Sequence, residues 1–297
     1  MRLPDIIKLA RPAQWIKNLF VFLPLFFGGT ILDPIYWEGV IIAFISFCLI
    51  ASSIYCLNDA IDAETDRDHP VKKLRPVASG KVSRRAAFSI SALFAALALA
   101  SCFLLDMKSA LPLAAIILAY YVLNVAYSLR LKHFAIIDVF IIALGFVLRI
   151  LAGSASTGIP LSPWIVSMTF LITLFLAFAK RRDDVLIRVR TGNVTRANTI
   201  HYNLDFINLT LGIIAAVSIV CYICYTVSPD VVARMGTPNL YMTSVFVIAG
   251  FLRYLQLAIV DQNTGSPTDI LMKDRFIQTC IALWIIAFIL IIYRSKI

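Results

Sequence analysis

Residues 37–66 read W-E-G-V-I-I-A-F-I-S-F-C-L-I-A-S-S-I-Y-C-L-N-D-A-I-D-A-E-T-D. The apolar part, 37–57, is long enough to cross a membrane as one helix. The segment that follows it has the pattern N-D-x-x-D-x-x-x-D, formed by Asn58, Asp59, Asp62 and Asp66. On a helix that continues through Asp66, the three carboxylates occupy positions i, i+3 and i+7 and share one face. The chain should break only afterwards, at Pro70, Pro76 and Gly80.

Three carboxylates on one helix face repel each other, and near a membrane this repulsion is weakly screened. A cation must therefore lie among them. Hard oxygen ligands favour Mg²⁺, which usually joins one or two carboxylates to a substrate phosphate. We predict that Asp59, Asp62 and Asp66 are metal ligands and catalytic groups, and that Asn58 contacts substrate.

The composition indicates a membrane protein. Apolar residues make up 60% of the chain and charged residues 15%, whereas soluble domains have about 45–50% and about 25%. We predict an all-α, polytopic protein that forms a single integral membrane domain over residues 1–297. Nine spans are predicted, at residues 16–32, 37–57, 86–105, 110–128, 135–153, 162–180, 205–227, 239–259 and 275–293.

The start of the chain does not resemble a cleavable signal, since basic residues are spread along it and no small-residue cleavage site follows. An amphipathic helix at the membrane surface is expected instead, with Ile6, Ile7 and Leu9 towards lipid. With the N-terminus inside, 22 of the 27 Lys and Arg residues lie on the inner side. This asymmetry predicts a protein of the bacterial cytoplasmic membrane whose N-terminus and charged loops face the cytoplasm.

The net charge of +10 suits an anionic leaflet and anionic substrates. It does not predict nucleic acid as a partner, because the basic residues follow the membrane topology. Cys221 and Cys224 form a C-x-x-C within an apolar helix, where they are expected to pack as small apolar residues. His69, His133 and His201 show no metal-ligand spacing.

Basic residues near the acidic motif are candidates for phosphate binding. Arg67 and Arg75 are favoured because a guanidinium can contact two phosphate oxygens at once. Anchoring at the inner membrane surface is the alternative, and it suffices for some of the neighbouring lysines. Lys17 and Asn18, with Gln14, form a polar face at helical spacing that is equally consistent with a phosphate contact or with a snorkelling lysine.

A second charged loop begins at Lys180 and reads K-R-R-D-D. It can be a simple end to a span, or Lys180 can contact substrate. Asp183 and Asp184 are adjacent and cannot point the same way on a helix. Arg149 lies several turns inside a span, so it needs an ion-pair partner, a polar cavity or an anionic ligand.

These motifs resemble the UbiA superfamily of intramembrane prenyltransferases. The matching segments are N-D-x-x-D-x-x-x-D from Asn58 to Asp66, R-D-H-P from Arg67 to Pro70, and R-P at Arg75 and Pro76. The resemblance implies a nine-helix fold around a laterally open cavity, in which the first Asp-rich motif binds a diphosphate through Mg²⁺. Ordinary members have a second D-x-x-x-D where this chain has K-R-R-D-D.

Further segments are similar to a phosphoribosyltransferase branch of that superfamily. They are R-P-A-Q-W-I-K-N at 11–18, F-L-P-L-F at 22–26, Y-S-L-R-L-K from Tyr127 to Lys132, and K-R-R at 180–182. The similarity implies Mg²⁺-dependent transfer from phosphoribosyl diphosphate to a polyprenyl phosphate, in contact with membrane lipids and with Tyr127 and Lys132 at the substrates. An aromatic prenyltransferase and a membrane transporter are the alternatives. Assembly into a homo-oligomer stays open.

Overall fold

The computed structural model describes residues 3–68, 71–192, 197–262, 270 and 273–294. The described residues are mainly helical. The α-helices are α1 (Leu3–Ala10), α2 (Leu23–Gly28), α3 (Trp37–Ile61), α4 (Ala63–Arg67), α5 (Arg84–Cys102), α6 (Met107–Leu129), α7 (Ile137–Thr157), α8 (Pro163–Thr191), α9 (Leu204–Val227), α10 (Pro229–Met235), α11 (Ser244–Ile259) and α12 (Arg275–Arg294). Short 3₁₀ helices occupy Pro12–Phe22, Pro34–Tyr36, Lys72–Leu74, Leu131–His133, Ala197–His201 and Asn239–Thr243.

The polytopic all-α prediction is confirmed, with a different number of spans. Eight helical segments of the described chain are long and apolar enough to cross a membrane, against nine predicted. The difference lies at predicted span 16–32, where the 3₁₀ helix Pro12–Phe22 is followed by the short helix α2. Pro24 stands in the first turn of α2, and Gly29 ends it with a left-handed φ of 69°. Proline and glycine at these places prevent one long α-helix.

The helices are grouped in two compact units. Unit 1 comprises Met1–Leu131 and Gly145–Leu161, and unit 2 comprises Lys132–Leu144 and Ser162–Ile297. Helix α7 contributes its first residues to unit 2 and the rest to unit 1. That the chain forms one membrane domain stays a prediction.

In unit 1, α3 packs against α5, α6 and the 3₁₀ helix Pro12–Phe22. Ser53 of α3 and Ser91 of α5 donate hydrogen bonds to each other's carbonyl oxygens, at 2.7 and 2.9 Å. Small hydroxyl side chains of this kind let two helices approach closely in an apolar environment. The expectation that Leu9 faces lipid was wrong: it is fully buried with Cys56, Ala60 and other apolar residues of unit 1.

Helix α7 approaches two neighbours of unit 1 at glycines. A Cβ atom built on Gly153 would lie 1.9 Å from the carbonyl oxygen of Val21, and one on Gly39 of α3 would lie 2.3 Å from that of Ser156. Only a hydrogen at these positions leaves room for the opposing backbone. The two glycines therefore fix how α7 packs on the 3₁₀ helix and on α3.

Unit 2 has its own apolar core. Helix α8 packs along α9, and α11 packs along α12. Phe175 stands edge-on to Phe251 and Tyr254, with ring centroids 5.1 and 5.0 Å apart. These aromatic contacts join α8 to α11 and bury a continuous apolar cluster within the unit.

Candidate active site

Asp59 lies at the end of α3, where its carboxylate is 1% exposed. Arg11 donates from Nη2 to Oδ1 at 3.1 Å, and Nε of Arg75 lies 3.8 Å from the same oxygen. The backbone N–H of Val77 donates to Oδ2 at 3.2 Å. Two guanidinium groups therefore compensate one buried carboxylate, as a buried charge requires.

The helix that carries the acidic motif is interrupted at Asp62. Asp62 has φ −83° and ψ 1°, so α3 ends at Ile61 and α4 begins at Ala63, whereas the sequence predicted one helix through Asp66. The backbone N–H groups of Asp62 and Asp66 still bond to residues four positions earlier. Arg75 donates from Nη1 to Asp66 at 2.5 Å, and its Nε is the group that lies 3.8 Å from Asp59. Asp59 and Asp66 thus converge on one cation, and Asp62 is half-buried beside them.

The motif offers hard oxygen donors for a metal ion. Oδ1 of Asn58 is buried and has no hydrogen-bond partner within the described residues, which is uncommon for a buried polar atom. Together with the carboxylates of Asp59 and Asp66, this oxygen suits Mg²⁺ in kind. In the described part of the chain no three His, Cys, Asp or Glu residues are grouped as a metal site, and Arg11 and Arg75 pair with the carboxylates. The residues fit a cation that takes the place of Arg75 between Asp59 and Asp66.

The other basic candidates of unit 1 lie in different settings. Arg67 is exposed at the end of α4, and no hydrogen bond or ion pair joins it to another described residue. Lys17 is also exposed, whereas Asn18 is fully buried. Gln14 and Lys17 share a side because a 3₁₀ helix repeats every three residues, and Asn18 is turned away from them. The predicted common face of Gln14, Lys17 and Asn18 is therefore not formed.

Asn18 instead meets Arg149, which is 5% exposed. Arg149 donates from Nε to Oδ1 of Asn18 at 2.8 Å, from Nη1 to the Gly145 carbonyl at 2.7 Å and from Nη2 to the Tyr120 hydroxyl at 3.0 Å. Its guanidinium also lies 4.9–5.5 Å from the ring centroids of Phe47, Tyr120 and Phe146. Hydrogen-bond acceptors and aromatic faces thus surround this buried cation.

The remaining predicted substrate contacts are divided between the units. Tyr127 is half-buried near the end of α6 in unit 1. Lys132 and Lys180 belong to unit 2, where Lys132 is half-buried and Lys180 is exposed. The carbonyl oxygen of Lys132 accepts a hydrogen bond from Asn198 at 3.1 Å. His69 and Pro70, from the predicted R-D-H-P segment, lie outside the described residues.

The K-R-R-D-D segment of α8 holds a buried ion-pair network. Arg181 is 1% exposed and donates from Nε to Asp138 at 2.6 Å and from Nη1 to Asp184 at 3.0 Å. The Tyr202 hydroxyl donates to Asp138 at 3.4 Å and accepts from the backbone N–H of Ile136. Burial raises the pKa of Tyr202 to about 12, and the charge of Asp138 acts in the same direction. Asp184 therefore compensates a buried arginine of unit 2.

Two important contacts were not predicted from the sequence. Arg11 was noted only within a longer segment, although its contact with Asp59 is the closest that this carboxylate makes to an arginine. The pairing of Asp138 with Arg181 spans 43 positions, and no local pattern indicates it. A basic residue directly before a proline, ahead of an apolar stretch, was the available signal for Arg11.

Known proteins resemble this chain along nearly its whole length. The UbiA prenyltransferase family matches residues 21–279. A decaprenyl-phosphate phosphoribosyltransferase of Mycolicibacterium smegmatis is 34% identical, over 94% of this chain and 90% of the relative. One from Corynebacterium glutamicum is 31% identical, over 97% and 86%. A UbiA homolog from Archaeoglobus fulgidus, solved bound to GPP and Mg²⁺, superposes with a TM-score of 0.71 at 20% identity, over 97% and 99%.

The structural likeness establishes the fold, and the family match establishes membership. Both agree with the acidic motif at the end of α3 and with the all-helical membrane architecture. The chain is an enzyme of the transferase class. It belongs to the UbiA prenyltransferase family.

Proposed function

We propose that this enzyme transfers the 5-phosphoribosyl group from phosphoribosyl diphosphate to a polyprenyl phosphate and releases diphosphate. The observation that carries the proposal is the similarity, at 31–34% identity and nearly full length, to two relatives named for that reaction with decaprenyl phosphate. The K-R-R-D-D segment supports it, since Arg181 and Asp184 are engaged in a structural network. Among the described residues, this leaves the acidic motif from Asp59 to Asp66 to bind a diphosphate, and the proposed donor carries one diphosphate.

The reaction joins an oxygen of the acceptor phosphate to the anomeric carbon of the ribose. The bond between that carbon and the diphosphate breaks, and the diphosphate leaves with the electron pair. The acceptor is a phosphate monoester whose second pKa is about 6, so it is largely dianionic at neutral pH. It needs no general base, and no proton has to be moved.

Asn58, Asp59, Asp62 and Asp66 would hold Mg²⁺ together with the donor's diphosphate. The metal, when bound, would stabilise the negative charge that develops on the leaving group. Arg75 already lies between two of these carboxylates and would contact the donor's diphosphate. Arg67, exposed next to the motif, would contact the same substrate.

Lys17 and Lys180 are proposed contacts for the remaining phosphates of donor and acceptor. The proposed substrate-binding set is completed by Tyr127, Lys132, Asn18 and Arg149. Asn18 and Arg149 are joined by a hydrogen bond within unit 1. The positive-inside asymmetry supports a cytoplasmic position, in the bacterial cytoplasmic membrane, for the N-terminal segment with Lys17 and for the loops with Lys132 and Lys180.

The test is an assay with the purified full chain in lipid nanodiscs, using labelled phosphoribosyl diphosphate, polyprenyl phosphate and Mg²⁺. We expect labelled lipid to form only when all three are present. Dimethylallyl and geranyl diphosphates should neither replace the donor nor compete well with it. Transfer of a prenyl group to an aromatic acceptor, with no phosphoribosyl transfer, would identify an aromatic prenyltransferase instead.

A further inference from the structure

The N-terminal segment forms a cleft of about 550 Å³ beside the acidic motif. Its walls are mostly apolar, and the polar side chains that line it are two cations and one amide. No acidic side chain is among the described lining residues. The lining is Leu3, Pro4, Ile7, Lys8, Arg11, Pro12, Ala13 and Gln14. Apolar walls with two cations suit a ligand that is a lipid at one end and an anion at the other.

Arg11 connects this cleft to Asp59. Its Nη2 group donates to the Asp59 carboxylate at 3.1 Å, and its guanidinium lies 5.3 Å from the ring centroid of Tyr55. Among the described residues, neither Nε nor Nη1 of Arg11 has a hydrogen-bond partner, and the side chain is 30% exposed. A guanidinium presents five N–H groups in a planar fork. Arg11 can therefore keep Asp59 and bind a second anion through its other edge.

The backbone at Arg11 is held in an unusual conformation. Arg11 has φ 52° and ψ 57°, in the left-handed region, and Pro12 follows it. Its N–H bonds to the carbonyl oxygen of Ile7, so it ends α1 at a place where glycine is the common residue. A purely structural cap would be served at least as well by glycine. The turn therefore does not require the arginine side chain, whose guanidinium pairs with Asp59 and is 30% exposed.

We propose that this cleft seats the phosphate end of the acceptor lipid, with Lys8 and Arg11 as its cationic contacts. The inference rests on the proposed function and assigns the acceptor to a particular surface. A terminal phosphate monoester carries nearly two negative charges at neutral pH, which matches these two cations. Arg11 would then be shared by the acceptor phosphate and by Asp59, at the end of α3 where the donor's diphosphate is proposed to bind.

The test uses the full chain in nanodiscs and four variants: Arg11→Gly, Arg11→Lys, Lys8→Gln and, as a matched control, Arg84→Gln. Arg84 is an exposed cation of the same unit that pairs with exposed Glu64 at 2.8 Å. KM is measured for polyprenyl phosphate at saturating donor, and for phosphoribosyl diphosphate at saturating acceptor. Thermal unfolding is followed in parallel.

Arg11→Gly should raise KM for polyprenyl phosphate about 10- to 150-fold, the usual effect of losing a charge-assisted contact. KM for the donor should change far less. The unfolding temperature should fall, because Asp59 loses the nearer of its two arginines even though glycine accepts this backbone. Arg11→Lys should recover part of the affinity, Lys8→Gln should raise the acceptor KM more mildly, and Arg84→Gln should behave as wild type.

An unchanged acceptor KM in Arg11→Gly would overturn the inference, and so would a rise confined to the donor KM. Equal displacement of bound polyprenyl phosphate by a phosphatidate, in native mass spectrometry, would also overturn it, since the cleft would then be a general site for anionic lipid. A wild-type protein that binds polyprenyl phosphate through Arg11 but does not turn over phosphoribosyl diphosphate would refute the proposed function and leave this site standing.

Discussion

Asp59 is buried between two arginines and also accepts a hydrogen bond from the backbone of Val77. Any substitution there alters a local ion-pair network as well as a proposed ligand. Asp62 is half-buried at the interruption between α3 and α4. Substitutions of Asp59 and Asp62 are therefore expected to affect stability differently, although the spacing of the two residues in the sequence makes them look equivalent.

Asp62→Asn should abolish turnover and lower the unfolding temperature less than Asp59→Asn does, because Asp62 is half-buried whereas the Asp59 side chain is 1% exposed. Asp59→Asn should abolish turnover and also lower the unfolding temperature, since Arg11 and Arg75 lose their common carboxylate. Breaking a buried pair typically costs about 3–5 kcal/mol. Activity and thermal denaturation in detergent are measured side by side. Near-wild-type activity of both variants at saturating Mg²⁺ would contradict the metal-site proposal.

The Arg181–Asp138 pair provides a second test at this scale. Arg181→Met leaves a fully buried carboxylate without its arginine, and we expect a loss of about 3–5 kcal/mol of stability. Adding Asp138→Leu should restore part of it, because an apolar pair avoids the buried uncompensated charge of Asp138, although Asp184 and the Tyr202 hydroxyl each still lose a partner. The measurement is the apparent unfolding temperature of single and double variants. An equal fall of the unfolding temperature in the single and the double variant would show that the Arg181–Asp138 ion pair does not account for the loss of stability.

At the scale of elements, the contacts of α7 depend on two glycines. Gly153→Ala should lower the unfolding temperature strongly, because its Cβ would lie 1.9 Å from the Val21 carbonyl oxygen. Gly212→Ala in α9 is the matched control, since no atom lies within 4 Å of a Cβ built there. That variant should be neutral or more stable, as alanine is favoured over glycine in a helix by about 1 kcal/mol. A similar response of the two variants would contradict the close packing of α7.

The sequence predicted most of the elements and only part of the site. Apolar length was enough to locate α3 and the helices after it, since lipid-crossing segments require it. The prediction from apolar length was wrong at 16–32. There Pro24 and Gly29 determine the backbone conformation, and apolar composition does not reveal their effect. The acidic motif was found because its carboxylates are local. Asp59, Asn18 and Arg181 pair with residues 48, 131 and 43 positions away, which are Arg11, Arg149 and Asp138, so only the fold reveals these pairs.

At the scale of the whole molecule, the proposed orientation can be tested at the two ends of α5. Ser79 and Lys108 are exposed and lie before and after this span. In intact cells, Lys108→Cys should react with a membrane-impermeant maleimide, and Ser79→Cys should react only after lysis. The wild-type chain is the control, because five of its six cysteines are buried and Cys224 is half-buried. The reverse labelling pattern would invert the proposed topology.

The burial of Arg149 within α7 has a consequence for biosynthesis. Asn18, Phe47 and Tyr120 precede Arg149 in the chain and so reach the membrane before it. A lone arginine at the centre of a nascent span costs about 2.5–3.5 kcal/mol to insert. Here the side chains that contact the Arg149 guanidinium in the folded protein, Asn18, Tyr120 and Phe47, belong to segments synthesised before α7. Arg149 would thus act as a checkpoint of assembly, since α7 is accommodated only if the preceding helices have been inserted in the correct order.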